Sequence, residues 1–536
     1  AINIEAVYHS AVGGHYVPFE GICLTDTFQM MEGKGTLNEV MFPENNKRAA
    51  RQNKTDIRVV IGNPPYSVGQ DSHKDDEANI DYPALDARIA ATYVAKSKAT
   101  LKRNTYDSYT RAFRWASDRI KDKGIVCFVS NGSLVGKNSM DGIRKSLAEE
   151  FSTIYCFNLR GDQRTAGELS RKEGGKVFGA GSRASVAITL LVKNPEKKGP
   201  CQLFYRDIGD YLTQQQKLQI VGDAQSIAGL EWTQITPNEH GDWVDQRDPS
   251  FDKFIPLGDK SSKTGKKVFS TYSLGLVTSR DVWAYNFSKE HVLNNMRRMT
   301  SFFNSEVKKY AKLNKGRSKK EMESVDAVID RDPLKISWSR GLKAEVGKMR
   351  EHTFDPGKLR TAMYRPFCKQ WVYFDKTMNE MVLLMPKLFP KEGTKNLAIS
   401  IVGPGARQDF AALMTDTLPD LHLSPDGAQC FPLYYYEENE SKNADMFDGE
   451  DDGLTRRDAI GDETLKDFQT RYGTKVTKED IFFYVYGVLH SPEYKQRFQT
   501  DLKKVLPRLP FARDFWAFSK AGRKLSNLHV GYEQCE

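Results

Sequence analysis

The sequence predicts an α/β fold over its first half and a mixed α+β second half, and three observations carry that prediction. Up to about residue 195, short apolar runs alternate with amphipathic stretches, the texture of strands joined by helices. Around 195–250 the texture turns to Pro, Gly and mixed polar residues, as where one domain hands over to another. Beyond that point aromatic and basic residues dominate. A chain of 536 residues can hold several domains, each with a core of its own. The expected division is 1–248 and 249–536.

In order along the first half, apolar runs at 21–25, 57–61, 124–130, 153–158 and 185–192 read as strands. Between them, 108–121 and 141–151 read as helices, the first placing Tyr109, Phe113, Ala116 and Ile120 on one face. In the second half, 288–320 reads as a long basic helix running into a flexible turn, Lys315-Gly316-Arg317-Ser318-Lys319-Lys320. Residues 437–452 form an acidic, Gly-containing loop. Helices are expected at 480–489 and 493–506, with Pro507-Arg508-Leu509-Pro510 stopping the second. The opening residues read like the tail of a helix already under way, as in a piece of a longer protein.

Composition excludes several classes. The longest apolar stretches are far too short to cross a bilayer, so a soluble protein without a membrane partner is expected. Seven cysteines are scattered, with no C-x-x-C pair and no His cluster at ligand spacing. Neither a disulfide framework nor a metal site is signalled, and a reducing cytoplasm fits. A net charge of +9 is compatible with a polyanionic partner.

The chemistry-bearing motif is Val59-Val60-Ile61-Gly62-Asn63-Pro64-Pro65-Tyr66, an apolar strand running into a rigid polar loop. Two prolines fix φ over consecutive residues and remove two donors, leaving carbonyls free to accept. An amino group on an aromatic ring has its lone pair delocalised into the ring. To be alkylated, it must offer both N–H protons to acceptors that draw the nitrogen towards sp³ geometry. The Asn63 side-chain oxygen and the Pro64 carbonyl are such acceptors, and Tyr66 offers a flat face for an extruded base. The plainer alternative is a Pro-Pro turn after a strand.

The tetrapeptide resembles the catalytic motif of amino-methyltransferases, and its Asn form is more typical of enzymes acting on adenine N6 than on cytosine N4. That resemblance implies a Rossmann-like domain, S-adenosyl-L-methionine as cofactor and base flipping. It makes Gly21-Ile22-Cys23-Leu24-Thr25-Asp26 similar to the strand whose terminal acid binds the cofactor's adenine, with Asp26 the candidate. The other reading of Asp26 is a cap on the turn that follows. Gly175-Lys176-Val177-Phe178-Gly179 resembles the place where an aromatic meets the other face of the flipped base. Phe178 would then sandwich it with Tyr66, unless Phe178 is an ordinary core aromatic. The family's Gly-rich cofactor loop and ribose-binding acid are expected before 21, and neither is among the first twenty residues. The resemblance therefore places them upstream in the parent protein, N-terminally truncating the catalytic domain and making transfer by this chain alone doubtful.

A catalytic motif followed by a large C-terminal domain is the order of gamma-class enzymes, whose downstream domain recognises the DNA target. The strings Asp332-Pro333-Leu334-Lys335-Ile336-Ser337-Trp338, Tyr364-Arg365-Pro366-Phe367-Cys368-Lys369-Gln370-Trp371 and Tyr484-Val485-Tyr486-Gly487-Val488-Leu489-His490 resemble Type ISP single-chain restriction-modification enzymes. This implies double-stranded DNA as partner, bacterial cytoplasm, and an upstream nuclease and helicase-like ATPase in the same polypeptide. Arg340, Lys343, Arg360, Arg365, Lys369 and Arg407 form a pool of candidate DNA contacts, against the alternative of solvated surface charge. An RNA or protein-amide methyltransferase is disfavoured by the size of the second half. A non-catalytic DNA-specificity module stays open.

Overall fold

The computed structural model describes residues 2–17, 19, 21–32, 41–65, 81–99, 103–179, 183–260, 265–438 and 453–535. The chain forms two compact units, Ala1–Gln246 and Arg247–Glu536.

The first unit is built on a six-stranded mixed sheet of β1 (Val59–Gly62), β2 (Gly124–Asn131), β3 (Thr153–Arg160), β4 (Val186–Lys193), β5 (Gln202–Asp207) and β6 (Thr233–Ile235), in the order β1-β2-β4-β3-β5-β6. β1 runs parallel to β2, and β4 lies antiparallel between β2 and β3. Central position explains the near-continuous apolar sequence of β4, Val-Ala-Ile-Thr-Leu-Leu-Val. A Cβ on Gly124 would sit 2.5 Å from the Arg58 carbonyl oxygen, so glycine lets β1 and β2 begin side by side.

Helices α1 (Ile2–Val12), α2 (Pro43–Lys54), α3 (Pro83–Ile89), α4 (Ser108–Arg119), α5 (Asp141–Glu150), α6 (Gly167–Glu173) and α7 (Gln214–Ala224) complete the larger elements of this unit. Asp107 caps α4 by accepting from the Tyr109 N–H, and Tyr109, Phe113, Ala116 and Ile120 are all buried, as their spacing predicts. Leu85, Ile89, Tyr93, Ile143, Leu147, Ile154 and Trp243 join them in one core.

One expectation needs correction here. Residues 21–25 do not form a strand. Instead the buried Asn45 of α2 takes the place of a neighbouring strand: its Oδ1 accepts from the Leu24 N–H at 2.7 Å and its Nδ2 donates to the Leu24 carbonyl at 2.8 Å. The Pro/Gly texture expected over 195–250 begins within the first unit, where 195–200 turns β4 into β5 and the same sheet continues through Ile235, ahead of the division after Gln246.

The second unit contains two four-stranded sheets and a helical part. In the first sheet Leu359–Arg365 pairs antiparallel with Cys368–Tyr373, and in the second Ala398–Val402 lies between Ala412–Thr415 and Ala428–Pro432. The long helix α8 (Lys289–Leu313) buries Val292, Met296, Met299, Phe303, Val307 and Tyr310 along one stripe. It ends at Asn314, and the basic turn beyond it is pinned by side chains where the sequence suggested flexibility. The helix Lys478–His490 starts at a Thr477/Asp480 capping box and packs on Phe515–Val530 through Gly487 and Gly522. The helix expected over 493–506 is two short ones, Pro492–Arg497 and Gln499–Lys504, broken at Phe498. Most of the acidic loop at 437–452 lies outside the described residues; Glu437 and Glu438 end the strand Tyr434–Glu438. Among the described residues no helix is long and apolar enough to cross a membrane.

Candidate active site

β1 delivers Asn63-Pro64-Pro65 to the carboxyl end of the sheet. Gly62 stands opposite Phe128, and three residues further Asn131 ends β2 opposite Val186, where β4 begins. Asn63-Pro64-Pro65, the segment after β2 and the segment entering β4 therefore leave the sheet at one end. Asn63 and Pro65 are exposed and Pro64 is partly buried, so the loop faces outward, where a large substrate can approach. Tyr66 lies outside the described residues.

The segment after β2 is held rigidly. A Cβ on Gly132 would lie 2.6 Å from Ser185 Oγ, so the two loops touch at a glycine. The fully buried Arg144 of α5 donates to the carbonyls of Leu134, Lys137 and Gly241 at 3.0, 2.8 and 2.7 Å, with the Asp242 carboxylate at 3.7 Å. A buried guanidinium that donates to three carbonyls across two segments locks the loops it spans.

Phe178 is 40% exposed at the end of a loop following α6, so it is not a core aromatic. That loop is tied down from α7. Lys217, 1% exposed, donates from Nζ to the carbonyls of Glu173 at 2.7 Å and Gly175 at 2.9 Å. Gln214 Nε2 donates to the Val177 carbonyl at 3.0 Å, immediately before Phe178. Gly174, at φ +68°, and Gly175 pass so close to 212–214 that a Cβ would meet the Leu212 carbonyl oxygen at 2.2 Å or the Gln214 nitrogen at 2.6 Å. Burial pulls the Lys217 ammonium below its ordinary pKa, and the Glu173 charge offsets only part of this. Sequence reasoning passed over Lys217 and Gln214, since a lysine on a glutamine-rich helix carries no signal of burial. The glycine pair before Phe178 was the one visible sign of a tight packing site.

Asp26 caps the turn that follows it. Its Oδ1 accepts from the N–H groups of Phe28 and Gln29 at 2.9 and 3.3 Å, and its Oδ2 accepts from the Tyr82 hydroxyl at 2.8 Å. Glu32 accepts from the N–H groups of Ala84 and Leu85, both at 2.9 Å, tying the same segment to the first turn of α3. Both carboxylate oxygens of Asp26 are thus in use within the fold.

The open end of the sheet adds a further fact. Val60 packs towards the core, whereas Val59, Ile61 and Ile125, on the other face by strand alternation and register, are 54%, 77% and 37% exposed. An α/β sheet of this kind normally has both faces covered.

Residues 20–164 match the family described as Eco57I restriction-modification methylase, and residues 267–536 match the Type ISP C-terminal specificity domain. Among solved structures the chain is similar to a nuclease-deletion mutant of the Type ISP restriction-modification enzyme LlaGI in complex with a DNA substrate mimic, at 43% identity and TM-score 0.83 over 99% of this chain. The chain belongs to the Type ISP restriction-modification family. It is also similar to the ATP-dependent Type ISP enzyme LlaBIII bound to DNA, at 36% identity and TM-score 0.84 over 100% of this chain. A DrdV–DNA complex is similar at 34% identity, with TM-score 0.84 over 100% of this chain. The chain spans 47%, 34% and 50% of those three chains, respectively. A search of curated protein sequences returned no match. In Type ISP terms, the chain joins a methylase domain to a C-terminal specificity domain.

Within the Type ISP specificity domain, the six candidate DNA contacts are mostly engaged by the protein itself. Arg365 stacks 3.8 Å from the Tyr364 ring centroid and pairs with Asp420 at 2.9 Å. Arg407 forks onto Asp426. Lys343 pairs with Asp326 at 2.6 Å, and Lys369, 17% exposed, sits 3.5 Å from both Asp416 and Glu533. Arg360 donates to the carbonyls of Gly357 and Leu359, both at 2.8 Å. Arg340, exposed at the start of the helix Arg340–Gly347, makes no ion pair among the described residues, and neither does Arg360, whose bonds go to carbonyls. Arg360 and Lys369 line one cleft of about 700 Å³.

Proposed function

We propose that this chain carries the base-binding part of the catalytic domain, and the DNA-recognition domain, of a Type ISP enzyme that methylates adenine N6 in a specific duplex sequence. The observation that carries the reading is Asn63-Pro64-Pro65-Tyr66 at the carboxyl end of β1, with Asn63 exposed beyond a strand end. In this reading the target adenine leaves the duplex and stacks between Tyr66 and Phe178. The Asn63 side-chain oxygen and the Pro64 carbonyl accept hydrogen bonds from its two amino N–H groups. They draw the nitrogen towards sp³ and stabilise the positive charge that grows on it as it is alkylated. S-adenosyl-L-methionine supplies the methyl group in such chemistry.

In this reading the described residues supply only part of that cofactor's site. Asp26, the candidate for binding it, already serves Phe28, Gln29 and Tyr82. The uncovered apolar face at Val59, Ile61 and Ile125 supports assigning the cofactor loop to a further part of the catalytic domain that packs there. The same observation favours a second reading for the isolated chain, a DNA-specificity module with no transfer activity of its own.

The test is transfer from labelled S-adenosyl-L-methionine to mixed-sequence duplex by this chain and by the intact enzyme, each with and without Asn63→Ala. Label on adenine N6 from the intact enzyme, abolished by the substitution, supports the reading. Activity indifferent to Asn63 overturns it.

A further inference from the structure

Between Lys308 and Lys320, thirteen residues carry seven cations (Lys308, Lys309, Lys312, Lys315, Arg317, Lys319 and Lys320) and no acid. Three of the seven are matched within the fold: Lys308 with Glu351 at 3.2 Å, Lys309 with Glu306 at 3.3 Å and Arg317 with Glu323 at 3.4 Å. Lys312, Lys315, Lys319 and Lys320 are exposed and make no ion pair among the described residues.

The backbone holding them is built. Asn314, 2% exposed at the end of α8, donates to the Tyr310 carbonyl at 3.0 Å and accepts from the Glu323 N–H at 2.9 Å. Tyr310, also buried, donates to the Glu323 carbonyl at 2.9 Å, so both ends of the turn are riveted to one helix end. Gly316 supplies the positive φ, +79°, that the reversal needs. Ser318 and Glu321 close the far side, the Glu321 carboxylate accepting from the Ser318 hydroxyl at 2.7 Å and N–H at 3.0 Å. The α8 dipole accounts for cations in its last turn and just beyond, which covers Lys312 and Lys315. It does not reach Lys319 and Lys320. An ordered turn that concentrates unmatched like charges works against itself unless a polyanion neutralises it.

We infer that this turn is a docking surface for the phosphate backbone of duplex DNA, separate from base recognition. The inference rests on the DNA-binding reading above and names a surface for it. Lysines suit the task, being compact, mobile point charges that follow a phosphate row without demanding a bidentate edge. Position agrees, since the turn lies within the span matching the Type ISP specificity domain, and solved relatives of that family are described as bound to DNA. Four of the six residues in the earlier pool, Lys343, Arg365, Lys369 and Arg407, have their charge matched by carboxylates, whereas four lysines of this turn do not.

The experiment measures duplex affinity of the intact enzyme across a salt series, for target and non-target sequences. It compares wild type with a quadruple variant, Lys312→Gln, Lys315→Gln, Lys319→Gln and Lys320→Gln, and with the matching four Lys→Arg changes. The Gln variant should make the negative slope of log affinity against log salt shallower by about 0.9 for each phosphate that the turn no longer neutralises, with equal weakening on both sequences. The Arg variant should retain the slope, and the thermal midpoint should be unchanged in both. Wild-type binding with an unaltered slope in the Gln variant overturns this inference alone. Wild type that does not bind duplex at all overturns it together with the proposed function.

Discussion

Lys217 reaches from α7 to the carbonyl of Glu173, 2.7 Å away, and so fixes the loop that presents Phe178. Its second donation, to Gly175 at 2.9 Å, means that one buried ammonium satisfies two carbonyls of that loop. Lys217→Met keeps the aliphatic volume and leaves those acceptors without a donor, which should cost about 1–3 kcal/mol of stability. Because burial lowers the Lys217 pKa, the folded state binds fewer protons than the unfolded chain between its shifted value and the ordinary one. This group's contribution therefore rises with pH through that alkaline window, and the wild-type minus Lys217→Met difference should rise with it. Denaturant unfolding across that range checks the sign.

Phe178 is exposed enough that its replacement should leave stability intact and act on the substrate alone. Stacking on a base is worth about 1–3 kcal/mol, so Phe178→Ala in the intact enzyme should slow transfer by about 5- to 150-fold. Phe178→Trp should preserve transfer. Fluorescence of 2-aminopurine at the target position reports whether the base still stacks; equal rates for the Ala and Trp variants would remove Phe178 from the site.

Gly522 and Gly487 let two helices of the specificity domain touch backbone to backbone. A Cβ on Gly522 would lie 1.9 Å from the Phe483 carbonyl oxygen, and one on Gly487 would lie 2.3 Å from that of Phe518. Neither approach can yield by turning a side chain. Gly522→Ala should destabilise this unit by about 1–3 kcal/mol, read as an earlier thermal transition, despite alanine's better helix propensity.

Asp501 is 1% exposed, with Oδ2 accepting from the Asp248 N–H at 3.2 Å and Oδ1 without a hydrogen-bond partner. Burial pushes its carboxyl up to about 6, against a lowering influence from the Asp248 bond. The folded state thus binds more protons than the unfolded chain between the ordinary value and about 6, and stability from this group falls as pH rises through that window. Asp501→Asn should stabilise by about 1–3 kcal/mol at pH 8, with the gain vanishing near pH 4. A variant no more stable than wild type at pH 8 refutes the assignment of burial as the cause.

Much of the first unit was legible because its signals are local. The strands Val59–Gly62, Gly124–Asn131, Thr153–Arg160 and Val186–Lys193, expected at 57–61, 124–130, 153–158 and 185–192, and the buried face of α4 follow from apolar runs and helical spacing, which few other conformations satisfy. Residues 21–25 have the same apolar texture and still form no strand, because a strand needs a neighbour and Asn45 supplies the hydrogen bonds in its place. The partners of the basic pool in the second half were not legible for a related reason. Charge is visible in a sequence, but Asp420, Asp426 and Asp326, which pair with Arg365, Arg407 and Lys343, lie beyond the reach of any local spacing rule.

The sequence by itself determined the α/β character of the first half and the family to which the chain belongs. Those depend on residue identity at short spacing, where periodicity and rigid prolines leave little freedom. Tertiary structure alone decided that Asp26 is occupied by Tyr82, that Lys217 anchors the Phe178 loop, and which cations stay unmatched. Each of these is a pairing or burial between distant segments, set by how the elements pack and not by any residue's own preference.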